Sequence, residues 1–383
     1  AEDWGSDEAD RDGAVTLHIP EEHFFPWSPD SPFLYDLTVG TTQGEEEQRD
    51  TVHSYFALRK WSCAPDAHGI MRFCLNGRPI LLNGLLDQGY WPESLYTAPT
   101  DEALTADISR MKKLGFNMLR KHAKIEPERF YYHCDQLGML VWQDMVNGGS
   151  AYKHWFVTYL ATLMNWNHIS FSDDEKHAGL LSRLHPEGKD EFRREITETI
   201  AFLYNHPSIV VWVPFNEGWG QFDALAVCEQ IRTLDSSRLV DHASGWFDQK
   251  GGDILSLHYY FLKLKFKPES KRAAALTEFG GYSLSIPGHS CCKKVYGYKK
   301  FNSTGTLTYG YIDLIRQTIL PAVKKGIGAT VYTQLSDIEE ETNGIYTYDR
   351  EICKIDPDTL RKWNRALKEA GECKTYADHT TDH

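Results

Sequence analysis

Val211-Trp212-Val213-Pro214-Phe215-Asn216-Glu217-Gly218-Trp219-Gly220 and Ala275-Leu276-Thr277-Glu278-Phe279-Gly280-Gly281 decide the reading of this chain. Each is a short apolar run that ends on a glutamate beside aromatics and glycine. A short continuous apolar run bounded by turn residues suits a strand buried on both faces, as in a parallel sheet. Six more such runs lie around them: Ile80–Asn83, Phe116–Arg120, Met139–Trp142, Leu239–His242, Ile254–His258 and Ala329–Tyr332. Amphipathic segments fall between the runs, at Glu102–Leu114, Glu191–Tyr204, Asp223–Leu234 and Tyr309–Lys324. Eight strands alternating with helices predict an α/β fold, a (β/α)8 TIM barrel over 65–383. The dozen residues Ala243–Asp253 are too few for a helix after the fifth strand. Residues 145–190 are too many for a simple loop and predict an insertion at the barrel mouth.

In such a barrel, polar residues at the C-terminal strand ends line the active site. Glu217 ends the fourth strand and Glu278 the seventh, so the two carboxylates face each other across the mouth. Paired carboxylates flanking one bond are the requirement of glycoside hydrolysis. One delivers a proton to the leaving oxygen and the other attacks the anomeric carbon. An isolated Asn-Glu or Thr-Glu is more often a loop or capping residue. The weight therefore lies on the pair and its strand positions. Asn216 can supply an amide to a sugar hydroxyl. Tyr259, at the end of the sixth strand, is expected to donate its hydroxyl to Glu278. Arg120, His122 and Asp144 follow the second and third strands, and Asp87 the first; all are expected at the mouth. Trp219 and Trp246 are candidate sugar-stacking walls or core aromatics. His258 is a candidate ligand contact or a satisfied buried histidine.

The rest of the sequence sets bounds. The 383 residues carry 41 basic and 54 acidic side chains, a formal charge of −13, which disfavours a nucleic-acid partner. No apolar stretch approaches the roughly 20 residues of a membrane helix. Eleven Trp, 20 Tyr and 18 Phe suit carbohydrate sites as well as a large core. The eight cysteines are scattered, without zinc-like spacing, and read as reduced thiols of a cytoplasmic protein. Ala1-Glu2-Asp3-Trp4 shows neither an initiator Met nor a signal peptide, and reads as the edge of a trimmed or longer protein. Val15–Ile19, Leu34–Val39 and Val52–Leu58 read as strands, too few for a complete sandwich.

These residues resemble glycoside hydrolase family 2, the β-galactosidases, β-glucuronidases and β-mannosidases. Asn205-His206-Pro207-Ser208 leading to Asn216-Glu217 is similar to the family's acid/base signature, and Thr277-Glu278-Phe279-Gly280 to its nucleophile segment. Phe73–Ile80 resembles the entry to its barrel, Asn117–His122 its second strand, and Tyr131–Trp142 a further family segment. Trp27–Tyr35 looks like the end of the immunoglobulin-like domain that precedes that barrel, so residues 1–64 are expected to be a partial module. The resemblance implies a retaining exo-β-glycosidase with Glu217 as acid/base and Glu278 as nucleophile, acting on a carbohydrate, without metal or organic cofactor. No His/Glu set matches the magnesium site of some members. Tyr332 stands in the eighth strand after Val331, where the family usually has Trp, and is expected to stack on the sugar; Gln334 follows it. Glu341-Thr342-Asn343-Gly344-Ile345-Tyr346-Thr347 lacks the lysine that β-glucuronidases use for the uronate, which points to a neutral sugar, first a β-galactoside. A β-glucuronidase-like enzyme and an inactive carbohydrate-binding fragment stay open, as does homo-oligomerisation.

Overall fold

The computed structural model describes residues 14–43, 48–167, 169, 171–260 and 263–372. Before the barrel come β1 (Tyr35–Gln43) and β2 (Gln48–Phe56), an antiparallel hairpin, and then β3 (Trp61–Pro65), β4 (Met71–Leu75) and β5 (Arg78–Pro79), a three-stranded antiparallel sheet. β3 straddles the 64/65 boundary expected between modules. The expected strand Val15–Ile19 does not form: residues 14–20 take no regular structure. The described part of this region docks by specific contacts rather than by a second sheet. Tyr55 donates to Asp135 Oδ2 at 2.7 Å, and Trp27 Nε1 donates to the Asp135 carbonyl at 2.8 Å.

The barrel strands are β6 (Leu82–Asp87), β7 (Met118–Lys121), β8 (Leu140–Asp144), β9 (Ile209–Val213), β10 (Leu239–Val240), β11 (Ile254–Tyr259) and β12 (Ala273–Gly280). After the short pair β13 (Tyr282–Ser283) and β14 (Lys299–Lys300), β15 (Ile327–Thr333) completes it. Among the described residues these eight form one parallel sheet, in the order β10-β9-β8-β7-β6-β15-β12-β11. Among the described residues no strand ladder joins β10 to β11, and Asp253 bridges their backbones. Asp253 donates its N–H to the Val240 carbonyl at 2.9 Å, and its carboxylate accepts from Val240 N at 2.8 Å.

Around the strands lie α1 (Asp101–Lys113), α2 (Glu128–Leu137), α3 (Ala161–Trp166), α4 (Pro186–Leu203), α5 (Ala224–Leu234), α6 (Thr304–Leu314), α7 (Leu320–Lys325) and α8 (Pro357–Gly371). In α1 the Thr100 hydroxyl accepts from Ala103 N, acids sit in the first turn and bases in the last, which complements the helix dipole. Its Leu104, Ile108 and Met111 recur at helical spacing and are buried. As expected, no helix lies between β10 and β11 among the described residues, and residues 145–185 form a long excursion carrying the π-helical segment Trp155–Leu160 and α3. None of the described helices is long and apolar enough to cross a membrane.

Strand alternation gives the barrel two cores. Outward residues such as Leu85, Leu119, Val141 and Leu276 pack under the helices. Inward residues, among them Leu82, Met118, Leu140, Ile254, Ala273 and Val331, fill the barrel, and Trp27, Trp61, Phe73 and Leu75 close its lower end. Phe73 enters because Gly328 faces it: a Cβ there would lie 2.8 Å from the ring. Phe73 is fully buried, whereas Val52 is 57% exposed. Phe73→Ala is expected to cost about 3–5 kcal/mol of unfolding free energy in guanidinium melts. Val52→Ala should stay within about 0.5 kcal/mol.

Candidate active site

The inward alternation that begins apolar turns polar toward the strand ends. On β7 Met118 is followed by Arg120; on β8 Trp142 is followed by Asp144; on β11 Ile254 is followed by Ser256 and His258. Arg120 is fully buried. Its guanidinium clasps Asp144 by two bonds, Nε–Oδ1 at 3.0 Å and Nη2–Oδ2 at 2.9 Å. It also donates to Glu278 Oε1 at 3.2 Å, the Thr277 carbonyl at 3.0 Å and Asn216 Oδ1 at 2.9 Å. One cation thus ties together β7, β8, β12 and the loop after β9. His122 Nδ1 meets Asp144 Oδ2 at 2.8 Å. Burial opposes charge on His122, but Asp144 outweighs it and the imidazole pKa is raised.

Glu278 reaches the cleft through a bulge. The β11/β12 register runs Leu257 to Leu276 and then His258 to Glu278, so Thr277 is the extra residue. A bulge re-aims side chains. Here Thr277 and Glu278 both reach inward groups, Ser256 and Arg120 respectively. Burial pushes the Glu278 pKa up, yet His258, Arg120, His122 and the Tyr260 hydrogen bond together hold it below the usual glutamate value. The hydroxyl donor to Glu278 Oε2 is Tyr260, at 2.5 Å, and not Tyr259. Because Ser256 and His258 face inward, the next inward residue is Tyr260. Tyr259 packs partly against the outer core. Period-two counting from His258 was the signal available in the sequence.

Glu217 follows β9 in a left-handed backbone conformation (φ 51°), with its N–H bonded to the Ser244 carbonyl at 2.9 Å. Its carboxylate is about a quarter exposed and meets His258 Nδ1 at 2.9 Å. The imidazole fits because Gly245 lies over it: a Cβ there would sit 2.7 Å from ring atoms. His258 Nε2 in turn meets Ser244 Oγ at 3.1 Å. Ser244, Thr277 and Ser256 hydroxyls continue the chain at 3.0 and 2.7 Å, ending on Asp241 Oδ2 at 2.8 Å. An oxygen of Glu217, an oxygen of Glu278 and a nitrogen of His258 all lie within 4.8 Å of one another. Three such atoms are close enough to hold a cation, as are those of His289, Asp349 and Glu351.

Other expected site residues divide. Gln334 is buried at the edge of the cleft, donating to Glu341 at 3.0 Å and Asn343 at 2.8 Å and accepting from Gln88 at 3.0 Å. Glu341 is therefore in the cleft. Burial raises its pKa, His122 lowers it and Glu278 raises it, with a net upward shift. Trp219 is half-buried beside Tyr152, with ring centroids 5.7 Å apart. Trp246 packs 5.4 Å from the His258 ring and borders a cavity of about 500 Å³ that includes Glu217. Two expectations fail on strand parity. Asp87 faces the helix layer, paired with Lys121 at 2.6 Å. Tyr332 also faces outward, its ring against Phe279 and Tyr311. Tyr260, Gln88 and Asp241 were not anticipated.

A family model described as "Glycosyl hydrolases family 2, TIM barrel domain" matches residues 70–319. The chain belongs to glycosyl hydrolases family 2. Among curated relatives, a β-galactosidase of Leuconostoc mesenteroides is 26% identical over 380 residues, covering 95% of this chain and 33% of the relative. A β-galactosidase of Oenococcus oeni is 29% identical over 232 residues, covering 60% and 19%. The chain thus spans a third or less of these relatives. Among solved structures, a family-2 β-galacturonidase of Eisenbergiella tayi superposes with a TM-score of 0.65 at 19% identity, covering 92% of this chain and 61% of that one. A β-D-glucuronidase of Dictyoglomus thermophilum gives 0.66 at 15%, covering 93% and 63%. These two similarities establish the shared fold.

Asp241 supplies a pH test. Burial, opposed by His242, Ser256 and Arg120, pushes its pKa from 3.8 up to about 6. A carboxyl harder to ionise in the fold binds more protons folded than unfolded, so stability falls as pH rises from about 4 to about 6. Asp241→Asn removes that loss. It is expected to be more stable than the parent at pH 7 by up to about 3 kcal/mol, the gap closing toward pH 4, in denaturant melts.

Proposed function

We propose that this chain is the barrel portion of a retaining exo-β-glycosidase, with Glu278 as nucleophile and Glu217 as acid/base. The observation that carries it is the pair itself: carboxylate oxygens within 4.8 Å, set in different environments. That spacing fits the roughly 5–5.5 Å of retaining pairs and not the roughly 6.5–9.5 Å that admits a water in inverting ones. Glu278, hydrogen-bonded by Arg120 and Tyr260, is kept ionised to attack the anomeric carbon. Glu217, more open and held by His258, protonates the departing oxygen and then takes a proton from the water that cleaves the glycosyl-enzyme. Asn216 has its Oδ1 fixed by Arg120, and its amide nitrogen is the donor proposed for a sugar hydroxyl.

Glu341 favours a neutral sugar. A uronate seated near it would meet a second anionic group, with no lysine among its hydrogen-bond partners. A β-galactoside is the first candidate, in keeping with the names of the curated relatives. We read the hairpin of β1 and β2 as part of an immunoglobulin-like module. The free cysteines among the described residues suit a reducing, cytoplasmic setting.

Aryl β-glycosides of several sugars, assayed for released phenol, test this reading. Glu217→Gln should lower kcat/KM for poor-leaving-group aryl glycosides about 10²–10⁴-fold, and much less for a dinitrophenyl substrate whose leaving group needs no proton, while turnover of the latter falls because hydrolysis of the glycosyl-enzyme lacks its base. Glu278→Gln should abolish turnover of both. Parent-like rates in both variants would remove the assignment; no turnover by the parent on any sugar would favour the inactive carbohydrate-binding reading.

A further inference from the structure

The cavity beside Glu217 has a composition unlike that of the cleft on the Glu278 side. Around Glu278 the groups are Arg120, His122 and Glu341, a charged set, with Tyr260 and His258 shared between the two sides. The cavity runs instead between the insertion and the segment after β11. Tyr159, Thr162, Leu163 and Trp166 line it from the insertion. They stand at i, i+3, i+4 and i+7, one face of a helix. A soluble helix normally buries such a face. Here Tyr159 is 70% and Leu163 54% exposed. The opposite wall includes Leu257, Leu264 and Trp246.

The rim is basic in an acidic chain. Phe261-Leu262-Lys263-Leu264-Lys265-Phe266-Lys267 alternates. Leu264 and Phe266 pack on the outer core, while Lys263 and Lys265 border the cavity and are exposed. Lys265 Nζ lies 4.0 Å from the centre of the Trp166 ring. Among the described residues, neither ammonium has a carboxylate within ion-pair distance.

We infer that this cavity is a leaving-group subsite for a flat aromatic aglycone bearing a negatively charged substituent. The inference rests on the proposed role of Glu217, because the atom that Glu217 protonates belongs to the leaving group. The cavity includes that carboxylate and continues away from it along apolar and aromatic walls. The rings of Tyr159 and Trp166 offer π faces to a flat group. Lys263 and Lys265, with no carboxylate partner among the described residues, offer positive charge to its anionic end.

Binding of naphthalene-2-sulfonate and of neutral 2-naphthol to the full chain, followed by calorimetry, tests this without any turnover. The sulfonate should bind about tenfold more tightly than the naphthol at low salt, with the advantage fading toward 0.5 M NaCl. Lys263→Ala/Lys265→Ala should erase that advantage and leave naphthol binding intact. Trp166→Ala should weaken both probes about tenfold or more. Failure of both probes to bind, or equal affinities untouched by the lysine variant, overturns the inference. Glu278→Gln separates it from the hydrolase reading: that variant should bind the sulfonate like the parent and yet turn over nothing. If Glu278→Gln turns over substrate normally, the mechanism fails, whatever the probes do.

Discussion

The site depends on one buried cation. Arg120 has no solvent around it, so its charge must be met by anions and acceptors of the fold. Asp144 takes two of its N–H donors, and Glu278, Thr277 and Asn216 take the others. The guanidinium is planar and presents its donors in a fixed fork, so satisfying them fixes where the acceptors stand. Two of those acceptors belong to the proposed chemistry: Glu278 itself and the residue before Glu217. A lysine would match the charge but not the geometry.

From that point the two carboxylates differ by surroundings rather than by kind. Glu278 is enclosed, flanked by positive groups and a tyrosine hydroxyl. Glu217 stands nearer solvent, on a strained turn, with its contact to His258 backed by a file of hydroxyls reaching Asp241. The cleft is also two-sided, with polar groups from the first three strands and the eighth on one side, and aromatic and aliphatic walls from the insertion and the sixth strand on the other. On the proposed reading, opposite demands, recognising a hydroxylated ring and accommodating a departing group, fall to different parts of the chain.

Much of this was legible in the sequence, and the misses share a physical cause. Apolar runs located all eight barrel strands, and their ends located Glu217, Glu278, Arg120 and Asp144. What runs do not display is which way each side chain points. Counting by two from His258 selects Tyr260 over Tyr259, and counting from Leu82 and Leu86 turns Asp87 outward. Tyr332 fails in the same way: Val331 faces the barrel, so its neighbour faces the helices. The bulge at Thr277 is different. It is a matter of pairing between strands, and a single strand's sequence carries no mark of it. Glu341 is similar: its acidic run carries no mark of Gln88, far away in sequence, or of Gln334, which hold it in the cleft.

The seam between β10 and β11 has a mechanical consequence. Every other neighbouring pair in the ring shares a strand ladder, while among the described residues this one is joined by Asp253 and by side-chain bonds such as Ser256 to Asp241, and no described helix follows β10 to cover it. Few exposed bonds and little cover mean a low free energy for local opening. The barrel therefore behaves less like a closed hoop than like a clasped bracelet. Its clasp sits one short loop from Ser244, so any slackening there is felt first by the backbone that holds Glu217 in place.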